Sequence, residues 1–202
     1  MSRADKYSLL LLAGGKSSRM GTDKAKLLYQ GKSFVENSID KAVSLGIKEI
    51  YLSGHECNRD DVKIVKDIYL EVGPLGGFHA CMSQLKTKYC LVVPVDVPQI
   101  PMEVLEQMIR FHEEICLKQD EKELPLLLKH EEFMEPLIGI YPVMMAAFIE
   151  DRIKEKRLSV FRMIEAWGCR CFEADIPAWQ VANINTKEDY EMLVHGDFCA
   201  RK

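Results

Sequence analysis

Ser8-Leu9-Leu10-Leu11-Leu12-Ala13-Gly14-Gly15-Lys16-Ser17-Ser18-Arg19-Met20-Gly21-Thr22-Asp23-Lys24 begins as hydrocarbon and ends as a cluster of cations. Residues 8–13 form a short run with no polar alternation, which predicts a strand covered on both faces, as in a parallel sheet. The run stops at two glycines. Without a Cβ, glycine lets backbone N–H groups approach an anion closely and aim at its oxygens. Lys16, Arg19 and Lys24 lie within nine positions of one another and supply the charge to neutralise a triphosphate. Two common phosphate loops fail on spacing. A Walker A loop needs a second glycine five residues on, where Arg19 or Met20 stands, and no GxGxxG is present.

Working outward, the order of elements is that of an α/β protein. Ser33-x-x-Glu36 is a capping box, and Val35, Ile39, Ala42 and Val43 recur at helical spacing until Gly46. Residues 49–53 and 62–65 read as strands, and Gly76-Gly77 precede a helix through Leu85. Residues 89–95 predict a second buried strand. A helix over 101–117 follows, with Val104, Met108, Phe111 and Ile115 on one stripe. Residues 124–128 and 137–141 read as strands around a polar turn at 130–132, and helices follow near 143–154 and 159–166. Residues 170–173 make one more strand, and Thr186 caps a terminal helix with Asp189 three positions on. Strands apolar throughout and alternating with helices imply a Rossmann-like three-layer α/β sandwich with a mostly parallel central sheet. Ligands bind beyond the carboxyl ends of such strands. Gly14-Gly15, Ser53, Asp67, the glycines of 73–77 and Asp96 all follow strand ends and are expected to share one crevice.

Three further segments carry chemistry. In Val93-Pro94-Val95-Asp96-Val97-Pro98 the acid at a strand end has two readings: ligand of a hard divalent cation held partly by substrate phosphates, or helix N-cap. The neighbouring glycine loop favours the metal. Gly73-Pro74-Leu75-Gly76-Gly77 is a rigid turn that could lie against a purine ring or ribose, or be a turn alone. Asn183-Ile184-Asn185-Thr186 puts two amides on one face, for a ligand or for capping.

With 202 residues, 48% of them hydrophobic, the chain can bury a full core, and one domain over residues 1–202 is expected. A net charge of −4 and a pI near 5.8 argue against a nucleic-acid partner, which needs a concentrated basic face. No apolar stretch approaches the roughly 18 residues of a membrane span, and the apolar start is too short for a signal peptide. Seven cysteines with no CxxC pair speak against a disulfide or zinc scaffold and for a reducing cytoplasm.

The four motifs, in this order, resemble the molybdenum cofactor guanylyltransferases of the nucleotide-diphospho-sugar transferase superfamily. The N-terminal string follows that family's LAGGxSxRMGxDK pattern. Gly-Pro-Leu-Gly-Gly, Pro-x-Asp-x-Pro, Glu135-Pro136-Leu137 and Asn-x-Asn-Thr fall in matching order over nearly the whole chain. The resemblance implies nucleotide contacts from Leu12, Ala13, Gly14, Gly15, Lys24, Ser53, Asp67 and Asp96, with Asp96 also the Mg2+ ligand. Ser53 stands where Asn is usual in the family, and Glu135 where Gln is common. Arg19, Lys24 and Asp96 would be the catalytic set, and Arg157, Asn183 and Asn185 would lie on the pterin side. The N-terminal half would thus bind nucleotide and the C-terminal half the acceptor. The Gly14-Gly15 pair resembles the guanine-using branch.

The resemblance therefore implies transfer of GMP from GTP to the terminal phosphate of molybdopterin, with Mg2+ as cofactor and pyrophosphate released. Cofactor-biosynthesis proteins or molybdoenzymes would be transient partners. Two other functions share these residues: a nucleotidyltransferase using CTP or a sugar-phosphate or alcohol-phosphate acceptor, and a nucleotide- or cofactor-binding protein without turnover.

Overall fold

The computed structural model of the protein describes residues 2–14, 24–117 and 123–197. Gly15 and Arg19, with the rest of the stretch between Gly14 and Lys24, lie outside the described residues.

A short helix α1 (Arg3–Lys6) leads into β1 (Tyr7–Leu12), and a two-stranded ribbon of β2 (Leu28–Tyr29) and β3 (Lys32–Ser33) precedes α2 (Phe34–Ser44). Then come β4 (Glu49–Ser53), β5 (Val62–Val65), α3 (Pro74–Met82), β6 (Tyr89–Pro94) and α4 (Met102–Leu117). The second half holds β7 (Leu126–His130), β8 (Phe133–Pro142), α5 (Met145–Lys154), α6 (Val160–Trp167), β9 (Arg170–Glu173) and α7 (Lys187–His195).

Seven strands form one sheet in the order β5-β4-β1-β6-β8-β7-β9. β1 runs parallel to β4 and β6, and β5 and β9 run parallel to their neighbours. β8 alone is antiparallel to the strands beside it. Successive side chains on each strand enter opposite cores. Leu9, Leu11, Ile50, Leu52, Leu91 and Val93 pack with α2 and α4. Leu10, Leu12, Tyr51, Cys90 and Val92 pack with α3, α5 and α6. This two-sided burial is the reason the central strands β1 and β6 are buried at every position, while the edge strands β5 and β9 carry exposed Lys63 and Glu173, and it makes the mostly parallel three-layer sandwich.

Local signals act where they stand in sequence. Ser33 Oγ accepts from Glu36 N (3.2 Å) while Ser33 N donates to Glu36 Oε2 (2.8 Å), closing the capping box of α2. Thr186 and Asp189 repeat the arrangement at α7, which ends at left-handed Gly196 (φ 79°). Tyr29-Gln30-Gly31-Lys32 turns through positive φ at both central residues (53° and 80°), the backbone a tight hairpin needs.

Three elements differ from expectation. The helix placed after Gly76-Gly77 starts at Pro74 and contains both glycines. Proline suits the first helical turn, and the missing Cβ atoms let α3 lie close against the sheet. The strand expected over 124–128 is shifted to 126–130 and the one expected over 137–141 is lengthened to 133–142, because the hairpin closes tightly with Glu131 at φ 50°. Phe111, assigned to the buried stripe of α4, is exposed and rests against Phe172 with centroids 5.6 Å apart. No described helix is long and apolar enough to cross a membrane. Cys57, Cys81, Cys90, Cys116, Cys169 and Cys171 are free thiols.

Candidate nucleotide and acceptor site

The chain leaving β1 passes to α2 on one face of the sheet, and the chain leaving β4 and β5 passes to α3 on the other. The crevice at this divide is where an open α/β sheet admits a ligand. Its floor is backbone. Ala13 N donates to Ser53 O (2.9 Å), and Val95 N donates to Leu12 O (3.1 Å), so β1 is held on both sides at its carboxyl end. Gly54, at φ 82°, comes so close to Gly14 that a Cβ on it would stand 2.3 Å from the Gly14 Cα. Gly54 is therefore needed for the β1 and β4 turns to pass each other, whereas a Cβ on Gly14 would stand 3.7 Å from the Gly54 Cα, in ordinary contact.

Behind this floor Ser53 Oγ donates to Asp67 Oδ1 (2.6 Å). Ser53 is buried, and Gly77 is packed against it: a Cβ there would meet Ser53 Oγ at 2.6 Å and Leu12 Cδ2 at 2.9 Å. A Cβ on Gly76 would likewise meet Asp67 Oδ2 at 2.9 Å. The Gly-Pro-Leu-Gly-Gly segment thus brings the amino end of α3 to the Ser53–Asp67 pair, with Gly73 (φ 65°) at the N-cap. The segment opens a helix whose first turn lies against Ser53 and Asp67 rather than standing as an isolated turn.

The second cluster unites three distant segments. Lys24 Nζ donates to Asp96 Oδ2 at 3.1 Å and to Asn185 Oδ1 at 2.6 Å. The Asn-x-Asn segment is brought there by Ile184, whose N donates to Asp96 O at 2.8 Å and whose side chain is buried beside Phe34 and Leu193. The helix after Asp96 begins only at Met102, so Asp96 does not cap it, and α7 is capped by Thr186 rather than by either asparagine. Asn183 is exposed next to this junction. Arg157 lies just past the turn after α5, exposed, with its guanidinium 3.2 Å from Glu155, and among the described residues it is not drawn into the Lys24–Asp96–Asn185 junction. Because β8 descends antiparallel and α5 climbs back against α3, that turn does lie on the crevice side of the sheet.

Two residues near the site had no functional reading in the sequence. Lys41 reaches from α2 to the turn after Asp96, donating to Pro98 O and Ile100 O, both at 2.8 Å. Burial pushes its ammonium down to about 8. The helical spacing Phe34, Ser38, Lys41, Leu45 would have aligned it with buried positions. His130, placed in a polar turn, is instead buried at the end of β7, its Nε2 3.0 Å from Glu135 Oε1. His79 packs edge-on against Tyr69, at 5.2 Å between centroids.

A MobA-like NTP transferase domain model matches residues 9–167, a span that runs from β1 through α6 and includes Lys24, Ser53, Asp67 and Asp96. The chain belongs to that family. It is 31% identical over 201 residues to a probable molybdenum cofactor guanylyltransferase of Clostridium perfringens, covering 94% of this chain and 96% of the relative. A molybdenum cofactor guanylyltransferase of Pseudomonas fluorescens is 31% identical over 193 residues, covering 90% of each chain. The fold is shared with the molybdopterin-guanine dinucleotide biosynthesis protein A of Archaeoglobus fulgidus (TM-score 0.75, 21% identity, covering 96% of this chain and all of the other). It is shared too with a CMP:2-keto-3-deoxy-manno-octonic acid synthetase (TM-score 0.70, 13% identity, covering 96% and 99%). The sheet is thus of the nucleotide-diphospho-sugar transferase type, and the family is one of nucleotidyltransferases.

Proposed function

We propose that the protein transfers GMP from GTP to the terminal phosphate of molybdopterin, forming the guanine dinucleotide and pyrophosphate. The observation that carries this reading is the junction of Lys24, Asp96 and Asn185. It joins the end of the phosphate-loop motif, the acid of Pro-x-Asp-x-Pro and the asparagine of Asn-x-Asn-Thr, so a residue from each substrate side meets at one point. Relatives of 31% identity over nearly the full chain that are named molybdenum cofactor guanylyltransferases support a guanylyl donor and a molybdenum-cofactor acceptor. On this reading residues 1–202 are one domain, with nucleotide bound by the N-terminal half and acceptor by the C-terminal half. Its place is the cytoplasm, and its transient partners are proteins that make or receive the cofactor.

A magnesium ion fits the residues present. The Asp96 carboxylate and the Asn185 carbonyl already converge on one cation, the Lys24 ammonium, and both are hard oxygen donors. Among the described residues no group of three or more His, Cys, Asp or Glu side chains could hold a metal by itself, so substrate phosphates would complete the shell. Asp96 would hold the ion, and when bound Mg2+ supplies charge neutralisation at the phosphate oxygens.

The remaining chemistry belongs to the chain and its substrates. A phosphate monoester has a second pKa of about 6 and is mostly dianionic near neutrality, so no general base is required. One of its oxygens bonds to the α-phosphorus of GTP while the bond to the β-phosphate oxygen breaks, and pyrophosphate leaves. Leu12, Ala13 and Gly14 hold the nucleotide on a floor fixed by the β1–β4 and β1–β6 bonds. Ser53 and Asp67 orient its base or ribose from the α3 side. Lys24 and Arg19 take up charge on the leaving pyrophosphate, while Arg157, Asn183 and Asn185 orient the acceptor. Catalysis is positioning plus charge neutralisation.

Purified protein incubated with GTP or CTP, Mg2+ and either molybdopterin or a sugar phosphate tests the reading, with products identified by mass. Guanine dinucleotide and pyrophosphate are expected, and chelation of the metal is expected to stop the reaction. Product from CTP alone, or with the sugar phosphate alone, would replace this reading with the related transferase. Nucleotide binding without pyrophosphate would replace it with a binding protein.

A further inference from the structure

We infer that Lys41 is a positioning residue for the metal-binding acid: it clamps the turn that aims Asp96, although it touches neither substrate. This rests on the role given to Asp96 above. The turn from Asp96 to Met102 has little means of fixing its own shape. Pro98 and Pro101 lack an N–H, and the bonds recorded at its far end are long: Ile100 N to Val97 O and Leu105 N to Pro101 O are both 3.4 Å. The short bonds come from outside. Ile184 N donates to the Asp96 carbonyl at 2.8 Å, and Lys41 Nζ donates to the Pro98 and Ile100 carbonyls at 2.8 Å each.

Val97 and Ile100 are buried beneath this turn, so its apolar side is seated while its carbonyls face Lys41. A buried carbonyl without a donor is costly, and with Lys41 removed the turn gains by rotating its carbonyls toward water. Asp96 sits two residues before the first of them. Lys41 also binds the last turns of α2 to this loop, and α2 starts where Phe34 N donates to Leu27 O, three residues after Lys24. One side chain therefore couples the segment carrying Lys24 to the turn carrying Asp96.

The test compares Lys41→Met, which keeps the length and loses the donors, with Lys41→Arg, which keeps them. The readouts are binding of Mn2+ to the protein–GTP complex by electron paramagnetic resonance, GTP binding in chelator, and thermal melting. Lys41→Met is expected to weaken Mn2+ binding about tenfold to a hundredfold, as loss of a partner behind a metal ligand does. GTP binding in chelator should not weaken, since the phosphate-loop backbone is untouched, and it gains to the extent that a turned-away Asp96 releases Lys24. Lys41→Arg should recover most of the Mn2+ affinity. Should Lys41→Met fail to fold, Lys41→Gln, whose amide can still donate but lacks the charge and reach of the ammonium, is judged by the same criteria. Unchanged Mn2+ affinity, or equal loss of metal-free GTP binding, overturns the positioning role. A wild-type protein that binds no Mn2+ with GTP overturns the role of Asp96 and this inference together; a wild type that does, matched by Lys41→Met, overturns the inference alone.

Discussion

Asp96→Asn is expected to bind metal-free GTP more tightly than the wild type while losing metal-dependent transfer. Lys24 is engaged by the Asp96 carboxylate at 3.1 Å and by Asn185, with side chains of Lys24 and Asp96 only 20% and 22% exposed. A nucleotide that needs Lys24 for its phosphates must first take it from Asp96. A hydrogen bond to a charged group contributes about 1.5–3 kcal/mol, and a neutral one about 1 kcal/mol. Asparagine keeps the size and one carbonyl acceptor for the Lys24 ammonium but loses the negative charge, so the substitution lowers the cost of releasing Lys24 by about 0.5–2 kcal/mol. At 1.4 kcal/mol per decade this is a gain of about twofold to thirtyfold in affinity. Titration calorimetry with GTP in chelator measures it. The carboxylate also repels the triphosphate, which acts in the same direction, so Lys24→Met and the double variant are measured to isolate the pair. Wild-type or weaker affinity in Asp96→Asn would refute the argument. So would an equal gain in the Lys24→Met background, which would leave repulsion as the whole effect.

Gly54→Ala forces positive φ on a residue with a Cβ and drives that atom to 2.3 Å from the Gly14 backbone; a loss of about 3 kcal/mol or more in urea denaturation is expected, and a loss under about 1 kcal/mol would show that the two turns can separate. Gly77→Ala would place a methyl 2.6 Å from Ser53 Oγ, costing about 1–3 kcal/mol and breaking the Ser53–Asp67 bond, with GTP affinity falling while Lys24 remains paired. His112, buried with Tyr7 Oη 2.8 Å from its Nδ1, is pushed from 6.5 down to about 4 by burial. The unfolded chain therefore takes up the extra proton first, and stability falls as pH drops from 6.5 to about 4, by at most about 3 kcal/mol from this group. Urea melts from pH 7 to 4.5 should show a shallower acid loss in His112→Gln, and an unchanged slope would refute the assignment.

The sequence alone determined whatever depends on neighbours along the chain. An apolar run such as residues 8–13 can only be a strand hidden on both sides, Ser33-x-x-Glu36 and Thr186-x-x-Asp189 start helices through bonds spanning three residues, and these together specify the layered sandwich. The motif residues Leu12, Ala13, Gly14, Ser53, Asp67 and Asp96 could be placed at strand ends for the same reason. Tertiary structure decided what depends on partners remote in sequence. The direction of β8 is set by its neighbours β6 and β7, and nothing in an apolar run encodes it. Phe111 lies at a core spacing yet is exposed, and His130 reads as a turn residue yet is buried, because burial depends on what packs above a position. Nothing local marks Lys41, whose bonds to the turn after Asp96 exist only because α2 packs against that turn. The glycine loop, read first as a phosphate cradle, acquires its chemistry at its last residue, where Lys24 meets Asp96 and Asn185 across more than 160 positions of chain. Such a meeting is written in the packing of Ile184 and the pairing of β1 with β6, and no local pattern holds it.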